Sequence, residues 1–359
     1  MKIGKYELSV PIIQGGMGIG VSLSNLAGNV AKCGAMGILS SVNAGFKEAD
    51  FNTSPVKANL RAIENEIKKA LHISEGNGIV GVNIMVAVNH YEETVKAAIK
   101  AGAQAIISGA GLPMKLPEYV ENEDALLAPI VSSGRAASTI CAVWDKRYNR
   151  CPDFMVIEGP KAGGHLGFKR EDILDGSAMS PDEILPEVLS EISTYEEKYG
   201  KKIPVFCGGG IYDGNDMARV MKLGASGVQI GTRFIATNEC DASQTYKDMM
   251  INAKKEDVVI VKSPVGLPGR ALRTKLIKNL ENGISLAPER CNDCLKACPH
   301  GSKAPYCISR ALVAAVEGNV DDGLFFCGEN VFRIDKIIPV ADLIDEIYSK
   351  CKLNFSYAV

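Results

Sequence analysis

No apolar run in this sequence approaches the roughly 20 residues needed to cross a bilayer. Residues 1–20 also lack a basic segment followed by a long apolar one, so no secretory signal is read there and a cytoplasmic protein is expected. The formal net charge is only -2 over 359 residues, so neither nucleic acid nor a membrane surface is an expected partner. No Gly-x-x-x-x-Gly-Lys-Ser/Thr motif occurs, and a nucleoside triphosphate is therefore not the expected ligand. Histidine is scarce, at 4 residues. One of them, His165, stands in bare, glycine-rich backbone.

What the chain does have is alternation. Apolar runs bounded by turn residues recur at Pro11–Met17, Gly37–Ser41, Ile79–Val86, Gln104–Ser108, Leu127–Val131, Asp153–Ile157, Ile203–Cys207 and Gly227–Gly231. Helical patterns such as Pro55–Leu71, Arg135–Arg147 and Pro181–Tyr199 lie between them. Strands that are apolar almost throughout are buried on both faces, as in a parallel sheet wrapped by helices. Eight such units in about 240 residues fit an α/β fold of the (β/α)8 TIM-barrel type better than a doubly wound sheet. The expected organisation is a barrel over residues 1–254, a substrate-pocket and cysteine-rich addition over 255–330, and a C-terminal helix packing back on the barrel over 331–359.

In such a barrel, chemistry gathers at the C-terminal ends of the strands. Gly15, Gly16 and Met17 end the first strand, and Asn83 lies in the third. Gly208, Gly209 and Gly210 end the seventh, and Gln229, Gly231 and Thr232 end the eighth. The sixth leads into Glu158–Gly167, where Gly163 and Gly164 precede His165. Bare backbone admits a flat ligand closely, and an imidazole exchanges a proton near neutral pH. The loops after strands seven and eight are the usual phosphate cradle of this fold. Phosphate at the rim, glycines along the mouth and a proton-transfer group fit FMN across the barrel top better than a sugar-phosphate substrate. For His165 the competing reading is a structural histidine in a glycine-rich turn.

Six motifs then carry a resemblance: Gln14–Met17, Gly81–Asn83, Glu158 with Ala162–His165, Gly208–Ile211, Gly227–Phe234 and Ser263–Arg270. In that order they resemble the nitronate monooxygenase family, formerly called 2-nitropropane dioxygenases, whose fold and motifs the flavin-dependent enoyl-ACP reductases share. The similarity covers most of the first 275 residues. It implies non-covalent FMN, with Gly16 and Met17 beside the isoalloxazine, Asn83 at its polar edge and Gly164 near the ring or ribityl chain. Gly209, Gly210, Gln229, Gly231 and Thr232 would hold the phosphate end. His165 resembles the family's catalytic base or substrate-orienting group. Glu187 stands where members with monooxygenase activity often carry glutamine, which implies a carboxylate near the flavin. Ser263–Arg270 would help to wall the substrate pocket.

Eleven cysteines in a reducing cytosol are expected as thiols or metal ligands. Cys291, Cys294, Cys298 and Cys307 crowd together, and Cys-x2-Cys-x3-Cys-Pro matches part of a ferredoxin run. The spacing suits a [4Fe-4S] cluster, as in FMN barrels of the dienoyl-CoA reductase type that it resembles. It also suits zinc, with His300 as a substitute ligand. Unligated thiols are the third alternative.

The first functional expectation is therefore an FMN-dependent oxidoreductase, a nitronate monooxygenase oxidising alkyl nitronates with oxygen. The second is an NAD(P)H- or ferredoxin-linked enoyl-ACP or enoate reductase, and a flavin-binding sensor barrel is the third. The partners expected are a small-molecule substrate, NAD(P)H or an electron-transfer protein as electron donor, and a second copy of the chain in a homodimer.

Overall fold

The computed structural model describes residues 1–120, 124–288, 291–292, 294–299 and 303–356. Eight strands form the barrel: β1 (Ile12–Gln14), β2 (Met36–Ser40), β3 (Ile79–Met85), β4 (Ala105–Gly109), β5 (Leu126–Val131), β6 (Met155–Glu158), β7 (Val205–Gly208) and β8 (Gly227–Ile230). Each pairs in parallel with the next, and β8 closes on β1 through Val228 opposite Ile12 and Ile230 opposite Gln14. The fold is the TIM barrel expected from the apolar runs.

Side chains alternate across each strand, and this period of two sorts them into two cores. Ile13, Ile38, Ile107, Val156 and Phe206 point inward into one apolar cluster, where the rings of Phe154 and Phe206 meet edge to face at 5.8 Å. A two-stranded ribbon, Lys2–Ile3 with Tyr6–Glu7, brings Ile3 and Leu8 into the same cluster. Ile12, Ile157, Cys207 and Val228 point outward, as do Val80, Val82 and Leu127, and these bury against the helices. Each fully buried aliphatic or aromatic side chain contributes about 1.5–3 kcal/mol.

One further step of two along each strand gives the next inward residues: Gly15, Ser40, Asn83, Gly109, Ser132, Glu158, Gly208 and Gln229. All of them line a single cavity at the C-terminal mouth. The inside of the barrel thus changes from oil to polar groups and bare backbone within one layer.

Beyond β8 the chain leaves the barrel. Strands β9 (Val258–Lys262) and β10 (Pro268–Leu272) form an antiparallel pair, and β10 also pairs with the two-residue strand Gly164–His165. A satellite core under this sheet joins Val261 and Ala271 to Leu295, Tyr306, Ile308 and Leu324. The helix Val340–Ser356 returns to lie against the helices Gly214–Lys222 and Ser24–Lys32. Its stripe of Val340, Leu343, Ile344 and Ile347 is buried, and a Cβ at Gly214 would lie 2.3 Å from the Ile347 carbonyl oxygen, so the helices touch backbone to backbone. Among the described residues, no helix is long and apolar enough to cross a membrane.

Candidate active site

The mouth cavity has a volume of about 470 Å³. Of the residues singled out from sequence, Gly15, Gly16, Met17, Asn83, Gly163, Gly164, His165, Gly208, Gly209, Gly210, Gln229, Gly231 and Thr232 all line it. They come together because each ends a strand or opens the loop after it.

The glycines serve two purposes. At Gly16 a Cβ would fall 2.5 Å from the Asn83 Cβ, and at Gly163 one would fall 2.5 Å from the Cys327 carbonyl carbon. Those two let protein approach protein. Gly164, with φ +73°, would meet nothing nearer than the Phe326 ring at 3.7 Å, and Gly231 nothing nearer than the Met17 sulfur at 3.4 Å. Those two leave room for a ligand.

His165 is held from two sides. Its backbone pairs with Gly269 in β10, and the next amide, Leu166 N–H, donates to Pro268 at 2.9 Å. Its Nε2 lies 2.8 Å from Ser263 Oγ, and its ring meets Phe326 edge to face at 5.3 Å. Ser263 Oγ also accepts the Val265 N–H at 3.3 Å, and its hydroxyl proton can point at Nε2, in which tautomer Nδ1 carries the ring proton. Burial lowers the imidazole pKa to about 4, so the ring is neutral at pH 7. Arg270 fixes the loop beneath, donating to the Pro160 and Ala162 carbonyls at 2.6 and 2.7 Å.

Further residues at the site have no role assigned from the sequence. Glu158 ends β6 and points inward. Burial raises its pKa to about 7, against a small opposing pull from the Gly167 amide. A strap from the C-terminal part, Cys327–Asn330, crosses the loops after β6, β7 and β8. Gly328 N–H donates to Thr232 Oγ1 at 2.8 Å, Glu329 N–H to the Lys161 carbonyl at 3.1 Å, and Asn330 Nδ2 to the Gly210 carbonyl at 3.0 Å. Glu158 was legible from the two-residue period. The strap had no sequence signal.

One expectation needs correction, and a second finds no support. Glu187 does not line the cavity; it is exposed on the outer helix Pro181–Tyr199, and its carboxylate accepts the Gly134 N–H at 3.2 Å. It caps the first turn of the helix Gly134–Tyr148, where a carboxylate also meets the favourable end of the helix dipole. Glu187→Gln is therefore expected to leave flavin affinity unchanged within about twofold and to lower stability by about 0.3–1 kcal/mol, read from flavin titration and thermal melts.

The expected metal site at Cys291, Cys294, Cys298 and Cys307 finds no support. Among the described residues, no three His, Cys, Asp or Glu side chains are grouped to hold a metal. Cys294 and Cys298 turn toward the apolar satellite core, Cys294 Sγ lies 3.1 Å from Ser309 Oγ, and Cys291 is exposed. Burial pushes the Cys294 thiol up, with Cys307 and Cys291 adding to the shift. His300 lies outside the described residues.

The cavity fits a planar, polar-edged ligand. The Gln229 Oε1, buried at its wall, has no hydrogen-bond partner among the described residues, and an orphaned acceptor of this kind calls for a donor from a ligand.

A family model described as nitronate monooxygenase matches residues 1–350. The (3aS,4S,5R,7aS)-5-hydroxy-7a-methyl-1-oxo-octahydro-1H-indene-4-carboxyl-CoA dehydrogenase of Rhodococcus jostii is 24% identical over 94% of this chain and 91% of that protein. The Mycobacterium tuberculosis protein of the same name is 26% identical over 76% of this chain, and there the match spans 66%, just under two thirds, of the relative. A probable nitronate monooxygenase of Staphylococcus saprophyticus is 25% identical over 77% of this chain and 79% of its own. Among solved structures, FabK from Thermotoga maritima superposes with a TM-score of 0.72 at 25% identity, covering 98% of this chain and 96% of that one. A nitroalkane oxidase from Streptomyces ansochromogenes shares the fold, with a TM-score of 0.74 at 19% identity and 98% of each chain covered.

Proposed function

Because this chain belongs to the nitronate monooxygenase family, we propose that it is an FMN-dependent oxidoreductase acting on a carbon beside an electron-withdrawing group, with an acyl-CoA type thioester as its substrate class. The observation that carries the thioester is the wall of the cavity. Phe326 and the strap Cys327–Asn330 line it, and they lie in the part of the chain beyond the barrel strands. The Rhodococcus carboxyl-CoA dehydrogenase match spans 94% of this chain and so takes in the strap, although the Mycobacterium protein of the same name spans 76%, the probable nitronate monooxygenase 77%, and the family model also reaches residue 350.

FMN, when bound, supplies the two-electron chemistry that no side chain of this protein offers. Gly209, Gly210, Gly231 and Thr232 are the residues assigned to its phosphate end, and Gln229 and Asn83 to its polar edges. His165, neutral and tethered to Ser263, presents an N–H that can hold a thioester carbonyl or a nitro oxygen. A donor aimed at an oxygen that gains negative charge stabilises the enolate or nitronate more than the ground state. The β10 sheet and Phe326 cover that donor and exclude water from it.

Nitronate oxidation is the second reading, favoured by the family model itself. Anaerobic holoenzyme mixed in parallel with NADH, NADPH, an alkyl nitronate and an acyl-CoA separates the two. Bleaching of the flavin by a pyridine nucleotide or by an acyl-CoA is the expected result. Bleaching by the nitronate alone would replace the thioester reading with the second one.

A further inference from the structure

Glu158 is the one carboxylate in the top inward layer of the barrel; its companions on the other seven strands are glycine, serine, asparagine or glutamine. Cations on the loops and sheet at the mouth pair with other carboxylates. Lys161 Nζ lies 3.5 Å from Glu329, Arg270 faces the same carboxylate at 3.7 Å, and Arg233 pairs with Glu346 at 3.1 Å. Its polar contact is the Gly167 backbone amide. Among the described residues no charged group pulls on it, and a carboxyl lining a ligand cavity without a counter-ion is poorly arranged for structure and well arranged for taking and returning a proton.

We propose that Glu158, and not His165, is the group that moves the proton on the carbon next to the substrate's electron-withdrawing group. The inference rests on the carbon-acid chemistry proposed above. In the step, the Cα–H bond breaks, its electron pair remains as an enolate or nitronate, and the proton goes to a Glu158 carboxylate oxygen; the reverse step returns it. No oxidant is consumed. His165 holds the oxygen on which the charge collects.

The protonation states agree with this division. Glu158, poised near 7, populates both forms at neutral pH, whereas His165, lowered to about 4, does not, and its Nε2 is already taken by Ser263. Tyr246 and Cys327, which also line the cavity, are kept neutral by burial, and Tyr212 is stacked between the guanidinium groups of Arg233 and Arg333 at 4.5 and 3.9 Å.

The test needs no turnover of the flavin. Oxidised, anaerobic holoenzyme is incubated in D2O with nitroethane or butyryl-CoA, and loss of the α-hydrogen signal above the buffer rate is followed by proton NMR from pH 5.5 to 8.5. Wild type is expected to exchange with a midpoint near 7. Glu158→Gln should cut the rate by about 10²–10⁴-fold with the flavin spectrum intact. Glu158→Asp, which keeps the carboxyl, should retain part of it and guards against a folding defect in the first variant. His165→Asn should lower the rate but keep the midpoint. Exchange by Glu158→Gln within threefold of wild type, or a midpoint that survives in it but moves in His165→Asn, would overturn the assignment. Exchange of neither probe by wild type would overturn it too, while flavin bleaching by pyridine nucleotide in the same preparation would leave the oxidoreductase reading standing.

Discussion

Replacing His165 by alanine is expected to leave FMN bound and to lower turnover by about 10²–10³-fold, the usual effect of removing one donor from a developing oxyanion. The pH at half-maximal rate should not move, since the imidazole is neutral throughout the working range. A preformed nitronate should not restore the rate, because orientation is lost rather than a base. The alternative of a purely structural histidine predicts lost flavin or a lower melting temperature, with activity per bound flavin near wild type. Steady-state kinetics normalised to flavin content separates the two. The same residue also sets a sign for stability. Between pH 6.5 and about 4 the unfolded chain binds a proton at this ring and the folded one does not. Stability therefore falls as pH falls through that window, and His165→Ala should shallow the decline.

An effect on both the fold and flavin binding is expected at Gly209. Its φ is +91°, a conformation that a β-branched residue resists. A Cβ there would stand 2.6 Å from the Gly159 carbonyl oxygen and 2.8 Å from the Gly159 nitrogen and Cα, atoms that have no side-chain freedom with which to retreat. Gly159 N–H donates to the Gly208 carbonyl at 2.9 Å, so the collision forces the loops after β6 and β7 apart at the proposed phosphate end. Gly209→Val should therefore reduce flavin affinity by more than tenfold and destabilise the fold by about 3 kcal/mol or more, as overpacking adds to backbone strain. Gly176→Ala is the control. Its φ is +78° with nothing within 4 Å of the added Cβ, so it carries the strain alone, about 1–2 kcal/mol, and should keep its flavin. Full flavin occupancy in Gly209→Val would move the phosphate end away from these loops.

The barrel was readable because its strands are apolar on both faces and are separated by glycine-rich turns, a pattern few other folds produce. The mouth residues followed from the rule that functional loops leave the strand C-termini. Glu158 could be placed inside by counting from Phe154 and Val156 in steps of two. The strap Cys327–Asn330 could not be read, since its bonds reach back to Thr232, Lys161 and Gly210 largely through backbone groups that every residue possesses. The Ser263–His165 bond joins positions 98 residues apart, and a serine before proline in a loop does not announce such a partner. The cysteine run finds no support as a metal site among the described residues. Spacing reports how tightly a chain can turn, but not whether its side chains face one another or an apolar core. Glu187 shows the same limit, because its neighbourhood along the sequence gave no sign that the helix holding it faces away from the mouth.

The helix Val340–Ser356 occupies the eighth place in the outer shell, yet it is made after the whole addition that covers the mouth. During synthesis, the apolar flanks of the helices Gly214–Lys222 and Ser24–Lys32 must therefore wait through more than a hundred residues for the neighbour that covers them. The last contacts to form are also among the most distant in sequence, with the helix at Ser24–Lys32 touching the one at Val340–Ser356. Such long-range closure slows folding and prolongs the life of open, sticky intermediates. A nascent chain stalled before Val340 therefore leaves the apolar flanks of those helices uncovered, and the order of translation places sealing of the shell late in assembly.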